Sequence, residues 1–558
     1  MSDERDQLLN ISLKLAEVRM ALAKAERRLE KSRAKWRAIS SRRGVRLVMK
    51  VHRLWERLRA KARTLLAGGK AENPMAAELN RLLDIARKLP KSNGSRFYVK
   101  RDVRIGIVCD RFMWDAIHPA ADFVYIRPTR KGLAVLDTID LFLVCSTWEG
   151  LHHREWRNSG KAGTGSNRLL LLMMDRCRAR GKKVAFYSKE DPIHYAKFLN
   201  VARHADVIFT SAMEMIPSYR RDCGHDRVHS LIFCINPELH NPIGSCGRDR
   251  SKAVLFAGSW RSIYRQRCED QRMMFDGVLA AGLRLRIVNR YDCREVPKHA
   301  FPEAYRPFEW PSVVHGDLMA LHKLFDWAIN INTVTTSETM SANRICELLA
   351  SGNLLLSNFS KVMPKRYPGA IIVRTPADVK EILRTKTDPD LAELRASGIR
   401  RMMTGETCYD RIDQILDKVG LPQTPRSRRV LVVCRQRTAA VIRAFAEQTY
   451  PDRELMSIDE VTPEAYGRFD MVMWFSEDGI YDKFRLEDLS NAFKYANVDF
   501  VTMGSDRPHD YVPAFKNRYN TLFWREALPL ERLQDPETMT FAAGGYCVSC
   551  IWHNTKSE

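Results

Sequence analysis

Residues 337–357 combine side chains suited to a phosphorylated, hydroxylated ligand. The segment opens as a polar loop in which Ser341 or Asn343 is placed to cap a helix, because a short side-chain oxygen accepts an N–H bond of the first turn. Such a loop, leading into a helix N-terminus, suits an anion such as a diphosphate. Arg344 adds a fork of donors for phosphate oxygens, and Glu347, one turn later, would accept from sugar or ribose hydroxyls.

The elements that position these groups follow from the apolar pattern around them. Ile345, Leu348 and Leu349 mark one face of a helix, and Gly352 stands where helices commonly end. Residues 354–356 then form an apolar run typical of a strand buried on both faces of a parallel sheet. The alternative interpretation is an ordinary Rossmann helix that carries a surface Arg–Glu pair.

A second polar group follows the apolar run of residues 183–187. Glu190, Asp191 and His194 lie together just after this predicted strand, and carboxylates and imidazoles are the groups that act as general bases. Pro192 disfavours helix at Asp191, which would leave its side chain free at the loop. The competing interpretation is that Asp191 caps the next helix, whose first position suits proline.

Two arginines follow another predicted strand, residues 253–258. Arg261 and Arg265 are candidates for reaching a bound diphosphate alongside Arg344. Single basic residues are more often solvated surface groups, and this is the alternative interpretation for both arginines.

From residue 101 to 421, predicted strands alternate with predicted helices. Apolar runs of four to seven residues recur between longer helical patterns, which predicts parallel, doubly wound sheets. Ligands in such sheets bind at the carboxyl ends of the strands. The polar groups described above all fall at those ends.

One nucleotide-sugar signature and four further ordered motifs carry a family resemblance. Residues 341–352 resemble the nucleotide-sugar signature of group 1 glycosyltransferases with the GT-B fold, although eight residues rather than seven separate Glu338 from Glu347. The other motifs resemble CgeB-like (spore maturation) glycosyltransferases and lie at residues 187–195, 205–210, 240–243 and 256–260. Together these stretches cover roughly residues 101–420.

The resemblance implies a hexosyltransferase-type enzyme that needs neither metal nor cofactor. Glu347 would face a nucleoside-diphosphate sugar, with Arg261, Arg265, Ser341, Asn343 and Arg344 as further donor-binding residues. The acceptor would be a cell-surface glycan or protein, reached from the cytoplasmic side of a membrane. A non-catalytic scaffold that keeps a vestigial site is the alternative. The chain has neither a Walker loop nor a dinucleotide fingerprint, which disfavours an NAD enzyme.

The N-terminal hundred residues carry much of the positive charge. They hold 26 Lys and Arg against 10 Asp and Glu, within a chain of net charge +24. A heptad repeat over residues 5–36 predicts a coiled coil in a homo-oligomer, with packing inside one chain as the alternative. A basic amphipathic helix over 45–67 is suited to an anionic membrane surface, or is simply a solvated face. Nucleic acid is disfavoured, because the arm lacks the interleaved aromatics of a single-strand platform.

A third unit follows residue 427. Residues 445–455 are similar to the start of family 2, GT-A type glycosyltransferases. Where that family carries a metal-binding motif, this chain offers Glu477, Asp478 and Asp482. The resemblance implies a degenerate, inactive domain. Cys547, Cys550 and His553 have zinc-like spacing but lie around an apolar run, so they are expected to be core or edge residues.

The predicted fold class is α/β, with two tandem Rossmann-like domains of the GT-B type. A helical coiled coil precedes them and a small α/β, GT-A-like domain follows. No run reaches the roughly 18 apolar residues of a membrane span, and a polar start argues against a secretory signal, so a cytoplasmic chain is expected. The predicted boundaries are 1–68 for coiled coil and basic helix, 69–100 for helix and linker, 101–250 for the acceptor side, 251–421 for the donor side, and 428–558 for the GT-A-like domain.

Overall fold

A computed structural model describes most of the chain beyond its N-terminal segment. The described residues are 74–152, 154–247, 249–291, 299–423, 427–504 and 507–549. The predicted coiled coil and basic helix lie outside them, as do Cys550 and His553.

The first sheet has six strands in the order β2-β1-β3-β4-β5-β6, all parallel. Its strands are β1 (Arg101–Val108), β2 (Ala121–Tyr125), β3 (Leu141–Cys145), β4 (Lys183–Ser188), β5 (Val207–Thr210) and β6 (Val228–Ser230). The helices between them are α2 (Arg111–Ile117), α3 (Arg130–Val135), α4 (Gly165–Ala179), α5 (Tyr195–Ala202) and α6 (Ile216–Cys223). Strands β3 and β5 are buried at every position, as expected of runs that helices cover on both faces.

The second sheet also has six parallel strands, in the order β12-β11-β10-β7-β8-β9. Its strands are β7 (Asp249–Gly258), β8 (Arg284–Asn289), β9 (Glu309–Trp310), β10 (Phe325–Asn330), β11 (Leu354–Ser357) and β12 (Ala370–Ile372). Its helices are α7 (Arg265–Ala280), α8 (His315–His322), α9 (Arg344–Ala350), α10 (Met363–Arg366), α11 (Pro376–Thr385) and α12 (Asp388–Met403). Helix α1 (Pro74–Lys88) packs its leucines on the face of this sheet that carries Leu255 and Trp310.

Read from one edge, the second sheet has the Rossmann order 3-2-1-4-5-6. Its order reverses between β7 and β10, so the ligand crevice is expected outside the carboxyl ends of those two strands. The predicted fold class of tandem Rossmann-like units is thereby confirmed.

Helix α13 (Cys408–Val419) returns from the second sheet to pack on the first. The return is tied by a parallel bridge between Ile235 and Thr407. Tyr409 stacks on Tyr98 with ring centroids 4.0 Å apart, and Asp413 accepts from Arg101 at 2.5 Å. The two sheets are therefore connected twice, once through residues 231–247 and once through this helix.

The third sheet has seven strands in the order β14-β13-β15-β18-β16-β19-β17. Strands β14, β13 and β15 are parallel, whereas β18 runs antiparallel to both of its neighbours. Its strands are β13 (Val430–Cys434), β14 (Arg453–Ser457), β15 (Met471–Trp474), β16 (Phe500–Gly504), β17 (Asp510–Val512), β18 (Thr521–Trp524) and β19 (Gly545–Ser549). Helices α14 (Ala439–Ala446), α15 (Pro463–Tyr466) and α16 (Arg485–Ala492) accompany them.

The acids considered for a metal motif in this unit are separate from one another. Glu477 and Asp478 are exposed, whereas Asp482 accepts from the backbone of Phe484 and lies 3.4 Å from Arg485. Across the described ranges, these carboxylates form no cluster of metal-ligating geometry. Nor does any helix in those ranges combine the length and apolarity needed to cross a membrane.

A buried ion pair joins the third unit to the second sheet. Arg400 on α12 donates to both carboxylate oxygens of Asp488 on α16, at 2.7 and 2.6 Å. Both side chains are largely removed from solvent, with 7% and 14% exposed. Each charge therefore depends on the other for its compensation.

We expect Arg400→Met to lower the free energy of unfolding by about 3–5 kcal/mol, because it leaves the buried Asp488 carboxylate without a compensating charge. Arg437→Met is the control, since the Arg437–Glu460 pair is 45% exposed on both sides and should cost under about 1 kcal/mol. Denaturant unfolding measures both. Adding Asp488→Leu to Arg400→Met should recover most of the loss, and equal losses for the two arginine variants would contradict the assignment.

Candidate functional site

The carboxyl edges of the first two sheets face each other across a cleft. The first-sheet rim consists of residues 146–150, 189–194 and 211–215, which follow β3, β4 and β5. The second-sheet rim consists of residues 259–264 and 331–343, which follow β7 and β10.

Hydrogen bonds between residues 211–214 and 337–339 clasp the two rims. The Glu214 carboxylate accepts from the Ser337 hydroxyl at 2.8 Å and from the backbone N–H of Glu338 at 2.6 Å. The Thr339 hydroxyl accepts from the N–H of Met213 at 2.9 Å and donates to the carbonyl of Ser211 at 2.8 Å. The polar loop singled out in the sequence is thus held against the opposite rim.

Arg344 is the first residue of α9 and is half-buried. Among the described residues its guanidinium has no hydrogen bond or ion pair, and its Cζ lies 6.0 Å from the centre of the Phe256 ring. Burial lowers the pKa of Arg344; Glu347 opposes this and the positive charge of Arg290 adds to it. The donors of this group are therefore free for a ligand.

Arg267 and Arg290 are near enough to Arg344 for their charges to interact with it, and Arg261 interacts in the same way with Arg267. The four together are called the arginine cluster: Arg261, Arg267, Arg290 and Arg344. Burial lowers the pKa of Arg267 to about 10, and the charges of Arg344 and Arg261 act in the same direction. Arg267 donates to the carbonyl of Ile331 at 3.0 Å, at the end of β10. The Nε of Arg261 is buried with no hydrogen-bond partner. Within the part of the chain that the structure describes, no member is paired with a carboxylate.

Glu347 lies one turn along α9 and is 5% exposed. Its Oε1 accepts from the Asn343 side-chain amide at 2.7 Å and lies 3.9 Å from the Nε2 atoms of both His240 and His315. Burial raises the pKa of the Glu347 carboxyl, whereas His315 and Arg344 oppose the rise. His240 comes from the connection between the sheets and His315 begins α8, so three separate segments meet here.

These three groups form the one metal-like cluster of the described residues, with ligand atoms within 4.8 Å of one another. The protonation of His240 argues against a metal. Its Nδ1 accepts the backbone N–H of Asn236 at 3.1 Å, and burial lowers its pKa to about 3, so the neutral ring carries its proton on Nε2. A metal ligand needs a lone pair there and normally donates its other N–H.

Three of the predicted donor-binding residues are placed differently from the prediction. The Ser341 hydroxyl is buried against the Tyr367 hydroxyl at 2.8 Å, so it does not cap α9. Asn343 occupies the N-cap position but makes no capping bond, because its amide donates to Glu347. Arg265 is 93% exposed and pairs with Glu269, one turn along the same helix, at 3.1 Å. Arg265 therefore lies on the surface and not at the cleft.

On the first-sheet rim, Glu190 is already engaged. Lys189, which is 6% exposed, donates to Glu190 at 2.7 Å and lies 2.9 Å from Asp110. One ammonium is thus shared between two carboxylates, and these charges raise the pKa of Lys189 against the effect of its burial. This arrangement fixes Glu190 at the rim while neutralising part of its charge.

The prediction that Asp191 is free at the loop is wrong. Asp191 is fully buried, where it accepts from the Thr210 hydroxyl at 2.6 Å and from the Tyr219 hydroxyl at 3.2 Å. Nor does it cap the following helix, because the residue at that N-cap is His194. Its role in the described structure is to hold β5 and α6 against the loop after β4.

His194 is the remaining base candidate and lies between the two rims. Its ring meets Trp148 edge-on, with centroids 4.8 Å apart. Burial lowers the pKa of His194, and although Glu190 opposes this, Lys197 and Arg261 of the opposite rim lower it further. The imidazole is therefore neutral near pH 7 and able to accept a proton.

No family model matches the chain, and no curated protein matches it. Solved structures are similar in part. An alpha-glucosyltransferase in complex with UDP has a TM-score of 0.42 at 11% identity, over 57% of this chain and 100% of its own. The Anabaena protein HepE with UDP-glucose has a TM-score of 0.37 at 10% identity, over 57% and 99%. The trehalose-6-phosphate synthase OtsA has 0.34 at 11%, over 55% and 80%.

Sequence reasoning missed Arg267, Arg290, His240 and His315. Arg267 could have been found, because positions 265 and 267 lie about 200° apart on a helix and only one of them can face the cleft. His240 stands inside one of the quoted motifs but is 107 positions from Glu347 along the chain. Such long-range pairs leave no local pattern.

The buried carboxyl of Asp191 should make stability depend on pH. Burial raises its folded-state pKa from 3.8 to about 6, so its contribution is present below pH 3.8 and is lost as the pH rises through 6. Relative to Asp191→Asn, the wild-type chain should lose about 2 kcal/mol between pH 4.5 and 7.5. Urea unfolding at both pH values measures this difference.

Asp222→Asn is the control with opposite sign, because Arg221 and Tyr195 lower the pKa of Asp222. Here the wild-type chain should gain stability relative to its variant as the pH rises. A pH-independent difference for Asp191→Asn would contradict the assigned burial.

Proposed function

We propose that the chain is a glycosyltransferase that uses a nucleoside-diphosphate sugar. The observation that carries this proposal is the arginine cluster, whose four guanidinium groups stand at the carboxyl edge of the second sheet without carboxylate partners among the described residues. Departure of a sugar leaves negative charge on the diphosphate, and fixed positive groups in a partly dry cleft stabilise that charge. Arg344 and Arg261 would contact the phosphates, with Arg267 and the exposed Arg290 beside them.

The same cluster supports metal-independent transfer. Several transferases neutralise the leaving group with a divalent cation, and this requires converging carboxylates. Here arginines converge in their place, and Glu347 is the acid that the second-sheet rim contributes beside them. Glu347 would therefore accept from donor hydroxyls and would not hold a metal.

His194 is the favoured general base among Glu190, Asp191 and His194. It is neutral near pH 7, partly exposed and close to Arg261 across the cleft. Glu190 shares an ammonium with Asp110, and both Asp191 oxygens accept from buried hydroxyls. A base facing the acceptor on the rim opposite the donor supports an inverting reaction.

The finer assignments follow the family resemblance. The chain would be a CgeB-like hexosyltransferase of the GT-B type acting on a cell-surface glycan or protein acceptor from the cytoplasmic side. Residues 5–36 would oligomerise it, and residues 45–67 would hold it peripherally at an anionic membrane. The third unit would be an inactive GT-A-like domain.

A panel of nucleotide sugars should contain at least one that protects the protein against thermal unfolding. A donor at a hundredfold excess over its dissociation constant stabilises by about 2.7 kcal/mol. Arg344→Ala should weaken that donor about 10- to 100-fold, because charge-assisted hydrogen bonds to phosphate are lost. Arg265→Ala, on the exposed side of α7, should leave binding unchanged. Binding without turnover that survives Glu347→Ala would favour the scaffold alternative.

His194→Asn should lower kcat about 100- to 10,000-fold with little change in donor affinity, because only the acceptor's proton loses its base. The log of kcat/KM for the unmodified chain should rise with pH up to a pKa below the ordinary value of histidine and stay level above it. Glu190→Gln is the comparison and should keep the shape of this profile, with the rise shifted to lower pH because the Glu190 charge no longer favours the protonated imidazole. Retained configuration at the product's anomeric carbon, observed by NMR, would overturn the base assignment.

A further inference from the structure

The cluster of His240, His315 and Glu347 leaves a gap of atomic size. The Glu347 Oε1 lies 3.9 Å from each Nε2, which is too far for a direct hydrogen bond. Both Nε2 atoms are buried, and neither has a hydrogen-bond partner among the described residues. An unsatisfied buried N–H costs free energy, so the arrangement calls for a bridging atom.

The spacing suits an oxygen better than a metal. Tetrahedral zinc at 2.0–2.1 Å from its ligands brings them to about 3.3 Å from one another. The atoms here are 3.9 Å apart or more widely spaced, up to 4.8 Å. An oxygen placed between them would lie at hydrogen-bonding distance from all three.

The hydrogen-bond donors and acceptors of the three groups fit a hydroxyl group. His240 presents an N–H because its Nδ1 accepts from Asn236, and Glu347 presents an acceptor. A hydroxyl has one donor and two lone pairs, so it would donate to Glu347, accept from His240, and accept from His315 in the tautomer that carries its proton on Nε2. A cation would meet the N–H of His240, and an anion would meet the carboxylate.

The gap is most open beside His315. His240 and Glu347 are buried at 1% and 6% side-chain exposure, whereas His315 is 29% exposed and forms the open side. Arg344 precedes Glu347 by three residues on α9, which puts the gap one helical turn from the arginine cluster. A hydroxyl bound here would belong to the molecule that carries the diphosphate.

We propose that His240, His315 and Glu347 form a socket for one hydroxyl of the donor nucleotide and make that hydroxyl a requirement for tight binding. This inference rests on the proposed function. The hydroxyl belongs to the ribose or to the transferred sugar, and the chemistry of the socket is the same for either source. The two histidines are then binding residues contributed by the inter-sheet connection and by α8.

The test compares UDP and GDP with their 2′-deoxy and 3′-deoxy forms on the full-length chain, by calorimetry or thermal shift. The form lacking the socket hydroxyl should bind about 10- to 100-fold more weakly, because three buried polar atoms stay unpaired. In His240→Leu this discrimination should shrink to less than threefold. His322→Leu is the control and should keep it; His322 lies on the same helix as His315, and both of its ring nitrogens are buried without a partner among the described residues.

If the ribose forms do not differ, the same variants are tested with UDP-glucose and its deoxy-sugar analogues, and discrimination there assigns the socket to the sugar. Glu347→Gln gives a second readout should His240→Leu fail to fold. Binding indifferent to every deoxy form and to both variants overturns the socket, and stabilisation by zinc alone at micromolar concentration does so too. If no nucleotide binds, the proposed function itself is wrong.

Discussion

Like charges brought together repel one another, and this chain gathers four guanidinium groups, three of them partly buried and that of Arg290 exposed. Elsewhere in the described residues, buried arginines contact carboxylates, as Arg400 does with Asp488 and Arg411 with Glu406. At the carboxyl edge of the second sheet, by contrast, the arginine cluster has no carboxylate partner among the described residues. A fold can retain this electrostatic repulsion where a bound anion relieves it. The rest of the architecture keeps the four guanidinium groups from moving apart.

That architecture consists of two connections and one clasp. Residues 231–247 and α13 link the sheets, and the bridge between Ile235 and Thr407 ties the two connections together beside Glu406. The clasp at Glu214 holds the loop before α9 against the first sheet. His240 belongs to the first connection and lies 3.9 Å from Glu347 on α9, so the packing of the two sheets sets this spacing.

The sequence predicted the elements of this architecture better than it predicted their side-chain contacts. Strands such as Leu141–Cys145 are continuous apolar runs, and Arg344 and Glu347 are one helical turn apart, so both the sheets and this pair were readable locally. Asp191 was misplaced because a polar residue after a strand looks the same whether it faces solvent or two buried hydroxyls. His240 and His315 meet Glu347 only through the packing of distant segments, which no spacing rule records.

The extra residue between Glu338 and Glu347 has a physical consequence for the charge of the site. Glu338 turns outward to Lys361 and Lys365, at 3.8 and 3.3 Å, and its backbone N–H is taken by Glu214. The loop therefore binds the rims together and presents no second carboxylate to the cleft. Among the described residues of this edge, four arginines then accompany one glutamate, an excess of three positive charges. A diphosphate carries about as much negative charge as this excess, so the lengthened spacing and the unpaired arginines fit the same ligand.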